Sequence, residues 1–186
     1  LISLLNSLAS YASNEMSFHQ LGVKTGMSDN YIQAIERDKY GFMWFATRDG
    51  LNRYDGYHFK TYTTLRQGAY NNSVEWVAED AAGNIWIKTP VNYCFYDREM
   101  DELDNRTELL LHKIGIFESP RQLFIDDDKN LWCVADNTLY YYIFSDETLY
   151  KQSLPGSVNI ADMACRNKRC YILMTDGNVI NIDWMH

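Results

Sequence analysis

Apolar and polar residues alternate in short runs along the chain, and the runs stop at turns rich in Asp and Gly. Ile32 and Ile35 lie in a short first stretch that ends at Asp38-Lys39-Tyr40-Gly41. There Asp can bond its own backbone and Gly accepts a positive φ. Phe42 to Thr47 predicts a second strand, ended by Arg48-Asp49-Gly50. Leu51 to Tyr54 predicts a third, and Asp55-Gly56 is a two-residue hairpin signal. Tyr57 to Tyr62 predicts a fourth strand, aromatic and partly exposed. The pattern is that of four antiparallel strands joined by tight turns.

The same pattern returns. Asp38-Lys39-Tyr40-Gly41-Phe42-Met43-Trp44-Phe45 is matched by Asp80-Ala81-Ala82-Gly83-Asn84-Ile85-Trp86-Ile87 and by Asp126-Asp127-Asp128-Lys129-Asn130-Leu131-Trp132-Cys133. In each copy the Trp follows the Asp by 6 residues and a Tyr (Tyr54, Tyr96, Tyr142) follows the Trp by 10. Trp44 and Trp86 are 42 residues apart, Trp86 and Trp132 46. A fourth copy is degraded, with Tyr171 in the Trp place and Asp176-Gly177 where Asp49-Gly50 stand. A period in the low forties is the length of one four-stranded propeller blade. The expectation is an all-β protein, a β-propeller of about four blades with four antiparallel strands each, three complete and the last partial, cut from a larger ring. The divisions expected are a leader over 1–14, a lead-in over 15–29, blades over 30–71, 72–118 and 119–158, and a partial blade over 159–186. Ser17-Phe18-His19-Gln20-Leu21 resembles an outer strand without inner strands of its own. The repeat Trp and Tyr residues are expected between neighbouring sheets.

Composition agrees: 46% hydrophobic and 15% aromatic residues, with 14 Tyr and 5 Trp, favour strands. A formal net charge of −8 without a Lys/Arg stripe argues against nucleic acid as a partner. The chain opens without Met, so its natural start is expected upstream. Leu1 to Ala12 is apolar and small, and Ser10-Tyr11-Ala12 would suit cleavage before Ser13. That reads as the tail of a secretory signal, with a short amphipathic helix as the alternative. Cys94 and Cys133 sit in apolar strand patterns as buried thiols. Cys165 and Cys170 would face each other if Asn167-Lys168 is a two-residue turn, which permits either a disulfide or plain core packing.

Gly26-Met27-Ser28-Asp29-Asn30-Tyr31-Ile32-Gln33-Ala34-Ile35, Asp38, Gly41 to Thr47 and Asp49-Gly50-Leu51-Asn52-Arg53-Tyr54-Asp55-Gly56 together resemble the two-component regulator propeller repeat. The resemblance runs from about Phe18 to Asp183. It weakens at Pro90-Val91-Asn92, where a glycine is expected, and at Lys129 and Ala135, which replace a turn glycine and a Thr. It implies the periplasmic sensor region of a hybrid two-component system of Bacteroidetes type, anchored in the inner membrane. Such proteins sense oligosaccharides, signal by histidine-kinase phosphorelay and regulate transcription of polysaccharide-utilisation genes. An oligosaccharide ligand and self-association as a dimer follow as expectations, with membrane contact only through other parts of the parent protein.

The chain itself shows no catalytic motif. His19, His58, His112 and His186 form no metal pair, and His58 and His112 are expected on outer strands facing solvent. Asp126-Asp127-Asp128 lacks the ligand spacing of a calcium loop. No cofactor and no metal are expected. Propeller ligands meet the loops at one end of the ring, here the second-to-third-strand turns and the connections into each next inner strand. That rule selects Arg48, Asp49, Tyr70, Asn72, Asn92, Arg121 and Asn137, whose donors, acceptors and flat faces suit sugar hydroxyls. For any one of them a plain polar turn is the simpler reading. A propeller enzyme, a lyase or a glycan-cleaving one, and a protein-interaction scaffold stay open as alternatives.

Overall fold

A computed structural model describes residues 18–63, 72–156 and 159–184. The expected leader lies outside them. Among the described residues, fifteen strands form four separate antiparallel sheets. The first holds β1 (Ile32–Arg37), β2 (Met43–Thr47), β3 (Gly50–Tyr54) and β4 (Phe59–Tyr62). The second holds β5 (Trp76–Glu79), β6 (Ile85–Lys88), β7 (Tyr93–Asp97) and β8 (Glu102–Asp104). The third holds β9 (Pro120–Ile125), β10 (Leu131–Ala135), β11 (Thr138–Ile143) and β12 (Thr148–Ser153). The fourth holds β13 (Ile160–Arg166), β14 (Arg169–Met174) and β15 (Val179–Asp183). Strand order follows chain order in every sheet, so each is an up-and-down blade. The chain is all-β with propeller blades.

The three indoles hold equivalent seats. Trp44 pairs across the sheet with Arg53, Trp86 with Phe95 and Trp132 with Tyr141. Each is fully buried and packs forward onto the next sheet. Trp44 lies in one core cluster with Val77, Ile87 and Tyr96, Trp86 in a second with Leu123, Cys133 and Tyr142, and Trp132 in a third with Met163, Cys170 and Ile172. The period-two alternation of a strand explains this: one set of side chains faces the preceding blade and the other the following one. Burying each indole contributes about 2–3 kcal/mol or more. The repeat Tyr faces backward, so Tyr96 and Tyr142 are buried, whereas Tyr54 is half-buried and stacks on Phe59 at 4.6 Å.

The turn aspartates explain the Asp-to-Trp spacing. Trp44 Nε1 donates to Asp38 Oδ2 at 3.0 Å, Trp86 Nε1 to Asp80 Oδ2 at 2.8 Å and Trp132 Nε1 to Asp126 Oδ2 at 2.8 Å. The other oxygen accepts turn amides, from Phe42, Asn84 and Asn130 respectively. One buried carboxylate thereby fixes the hairpin and orients the indole. Gly41 and Gly83 close their turns at φ +91° and +89°, and Lys129 holds the same place at φ +63°.

Several expectations change. The Asp55-Gly56 hairpin is a four-residue turn, because Tyr54 pairs with Phe59 and Asp55 Oδ1 accepts the amides of Tyr57 and His58. The Asp side chain favours its local ring over a tight two-residue turn. Phe18 to Leu21 forms no strand; Ser17 lies outside the described residues. His112 is not on an outer strand. β8 stops at Asp104, and the chain turns into a short helix α1 (Glu108–Leu111) followed by a 3₁₀ turn at His112–Ile114. Leu111 and Ile116 of this insertion fill the wedge between the second and third sheets, which is why it leaves the strand path. The Asn167-Lys168 turn is as expected: Arg166 pairs with Arg169 across it, and both turn residues have positive φ. Cys165 and Cys170 are therefore directly opposite and are joined as a disulfide, while Cys94 and Cys133 are free and buried.

Candidate functional site

The turns and connections place the selected residues that are described on one end of the blades. Arg48 and Asp49 occupy the β2–β3 turn, and the segment leading into β5 crosses it, with Val74 N donating to Thr47 O at 2.8 Å. This brings Asn72 to Asp49, its Nδ2 donating to Asp49 Oδ1 at 3.0 Å. The Arg48 guanidinium lies 3.6 Å over the ring of Tyr31. Gln33 Nε2 donates to Ser73 Oγ at 3.1 Å and to Val74 O at 2.8 Å. Tyr31, Arg48 and Asp49 thus gather on one exposed surface, an aromatic-cation stack beside a carboxylate, with the half-buried Asn72 tied to Asp49. Beneath it Ser28, Thr47 and Asn52 interlock: Ser28 N donates to Asn52 Oδ1 at 3.0 Å and Asn52 Nδ2 to Ser28 Oγ at 2.8 Å. That network fixes the lead-in to the blade.

The other selected residues are not brought together. Asn92 accepts from Thr89 Oγ1 at 2.6 Å within its own turn. Arg121 donates to Asp136 O at 3.1 Å. Asn137 is a structural clasp: its Nδ2 donates to Leu154 O at 2.7 Å and its backbone carbonyl accepts from Leu154 N at 2.8 Å, pinning the exit from β12. Tyr70 lies outside the described residues. Sequence reasoning missed Tyr31 and Gln33. Both precede or open β1 at the same blade end, so the rule that chose the connections reaches them once applied to the lead-in.

The opposite end, made of the first-to-second and third-to-fourth strand turns, carries two concavities. One of about 650 Å³ is lined by Ala81, Asn130, Phe144 and Lys168, and one of about 490 Å³ by Ala82, Asn84, Lys113, Phe144 and Glu147. Charged links join the blades at this end. Arg98 bridges the buried Asp38 at 3.3 Å, and Lys129 reaches Glu36 and Glu79. Asp101 accepts from Lys60 and, at 2.6 Å each, from the hydroxyls of Tyr62 and Tyr96. Lys60 first, then these hydroxyls, hold its carboxyl well below the usual carboxylate range.

Burial pushes the phenols of Tyr93 and Tyr141 and the thiols of Cys94 and Cys133 up to about 12. These groups stay protonated at neutral pH and serve packing. Desolvation also raises Asp126 against the opposing hydrogen bonds from Trp132 and the turn amides. All oxygens of Asp38, Asp80 and Asp126 accept donors of the chain itself. Among the described residues, no group of three His, Cys, Asp or Glu is placed to hold a metal ion. No described helix is long and apolar enough to cross a membrane.

Comparison with known proteins adds four findings. Histidine kinase P4 of Formosa agariphila is 51% identical over 37 residues, 20% of this chain and 3% of that protein. The extracellular domain of a hybrid two component system from B. thetaiotaomicron superposes with a TM-score of 0.48 at 18% identity, covering 86% of this chain and 29% of that one. Virginiamycin B lyase from Staphylococcus aureus gives a TM-score of 0.47 at 13% identity, over 87% of this chain and 58% of the lyase. The chain therefore spans only part of each of these proteins. Residues 26–49 match the family described as two component regulator propeller, covering the lead-in, β1, β2 and the turn with Arg48 and Asp49. Over residues 26–49 the chain is thus similar to the two-component regulator propeller repeat.

Proposed function

We propose that this chain is part of the extracytoplasmic sensor of a hybrid two-component regulator and that its ligand is an oligosaccharide. The observation that carries the reading is the repeat match at residues 26–49, which falls on an intact blade, together with the short match to a histidine kinase. The Cys165–Cys170 disulfide supports an oxidising compartment, since such bonds are rare where thiols are kept reduced. Tyr31, Arg48 and Asp49 offer a flat face with donors and acceptors, the chemistry a sugar ring needs.

Two measurements test this. The parent gene should encode a membrane-spanning helix and a histidine kinase after the propeller; a parent lacking both ends the sensor reading. Calorimetry of the protein with an oligosaccharide panel should give binding that Arg48→Ala weakens by about tenfold, the loss of one charge-assisted contact. A panel without binding removes the ligand class.

A further inference from the structure

The second blade departs from its neighbours twice on the same end of the molecule. Its first turn carries Ala81-Ala82 where the first blade has Lys39-Tyr40 and the third Asp127-Asp128. Its exit carries α1 and the His112–Ile114 turn, an insertion absent from the described parts of the other blades. The small side chains lower the floor and the helix raises a wall. Between them lies the trough of about 490 Å³, within the range of small-molecule sites. Departures from a repeat that converge on one place are where function, rather than folding, is expected to have set the residues.

The lining has a definite chemistry. Leu110, Ile114 and the half-buried Phe144 supply apolar walls, with Phe144 held edge-on to Tyr142 at 4.9 Å. Lys113 and Glu147 are exposed on the same trough, and neither forms an ion pair among the described residues. Asn84 spends its amide nitrogen on Asp80, which leaves its side-chain oxygen as an acceptor. Lys113 faces two carboxylates of the lining, the exposed Glu147 and the buried Asp80 already committed to Trp86 and Asn84, so the trough has no excess of positive charge to select an anion. An apolar wall with donors and acceptors at its edge suits a ring with one C–H face and a rim of hydroxyls.

We infer that this trough is a second carbohydrate subsite, on the end opposite Arg48, that takes a neutral mono- or disaccharide. The inference rests on the proposed ligand class but not on the Arg48 surface. The test is titration of the ¹⁵N-labelled full chain with neutral mono- and disaccharides (hexoses, xylose and their β-linked dimers) and with a zwitterionic dipeptide. Shifts are expected at residues 80–84, 110–114 and 142–147. Ala82→Trp, an exposed turn position, should fill the trough and abolish them, and Phe144→Ala should weaken binding by about tenfold or more. Lys113→Ala, which removes no packing, should weaken it by several-fold and guards against a folding defect in the other two. Arg48→Ala should leave these shifts unchanged. Shifts confined to residues 31, 48, 49 and 72 would overturn the subsite while sparing the Arg48 surface. Binding of the dipeptide in place of sugars overturns the ligand class at this trough. No response to any sugar removes this inference and the oligosaccharide reading together, but leaves the sensor assignment to the parent gene.

Discussion

Replacing Asp80 with alanine tests the contact that makes the repeat fold. Asp80 is 2% exposed and accepts three donors: Trp86 Nε1 at 2.8 Å, the Asn84 amide at 2.9 Å and Asn84 Nδ2 at 2.8 Å. Trp86 is itself buried, so its N–H loses its acceptor in a place water reaches poorly. An orphaned buried donor costs about 1–3 kcal/mol. The Asn84 side chain is half-buried and can turn to solvent, while its backbone N–H, only part-buried, loses one acceptor, so the two bonds together add about 1 kcal/mol. Removing a buried carboxylate returns some desolvation free energy and trims the total. The expected loss is about 2–3 kcal/mol, a large share of the stability of a small domain. Urea unfolding followed by circular dichroism should show it as a lower midpoint at constant slope. The specific claim is about the pair, so Trp86→Phe and the double variant complete a cycle. The coupling between the two sites should reach about 1–2 kcal/mol. A cycle that is additive within about 0.3 kcal/mol would refute the reasoning, because the spacing of Asp and Trp would then reflect separate needs.

Three further outcomes are expected. Asp101 has its folded pKa depressed, so its contribution is present above the unfolded carboxylate value near 4 and fades as pH falls below it. Its side chain is 41% exposed and solvent screens it, so Asp101→Asn should flatten the acid limb of stability between pH 4 and 2 by only about 0.5 kcal/mol. Lys129→Met keeps the strained backbone but removes the ammonium beside Glu36 and the buried Glu79, and thermal melts should show a loss of about 1–2 kcal/mol; Lys129→Gly, which also relieves the left-handed φ, should be near neutral. Reduction of the Cys165–Cys170 disulfide, which closes a loop of about six residues, should cost about 2 kcal/mol, read as a shift of the urea midpoint with and without dithiothreitol. In the same samples Cys94 and Cys133, with thiols pushed up to about 12 by burial, should resist alkylation until the protein unfolds.

The blade was legible because its determinants are local. Asp38 and Trp44 lie on one hairpin, and a carboxylate six residues from an indole reports a side-chain bond across that hairpin. Gly41 reports a left-handed turn residue. Where a side chain competes with such a rule, the sequence misleads. Asp55-Gly56 looks like a two-residue turn, yet Asp55 gathers two amides and opens the turn to four residues. Lys129 looks like a lost glycine, yet its position in a left-handed turn sends its ammonium back across 93 residues to Glu36. No local pattern encodes that reach, which depends on how the first and third blades sit around the second.

Binding geometry was less legible for a related reason. The rule that propeller ligands meet the connections selects a blade end, and each selected residue then has to be shared between holding its own turn and facing outward. Asn137 looked like Arg48 in sequence but spends its amide on Leu154, while Arg48 stands free of its turn and stacks on Tyr31. The distinction lies in what crosses each turn: the chain leaving β12 runs directly over Asn137, whereas Arg48 projects beyond the strand of chain that covers Thr47. The trough at the second blade was hidden more deeply. Ala81-Ala82 reads as an unremarkable turn, and Glu108 to Ile114 as a drift in repeat length, until both are seen to border one hollow. A repeat makes the scaffold predictable because every copy must satisfy the same neighbours. The same redundancy means that specificity can be written only where copies differ, so the search for a ligand in such a chain should begin with the positions that fail to align.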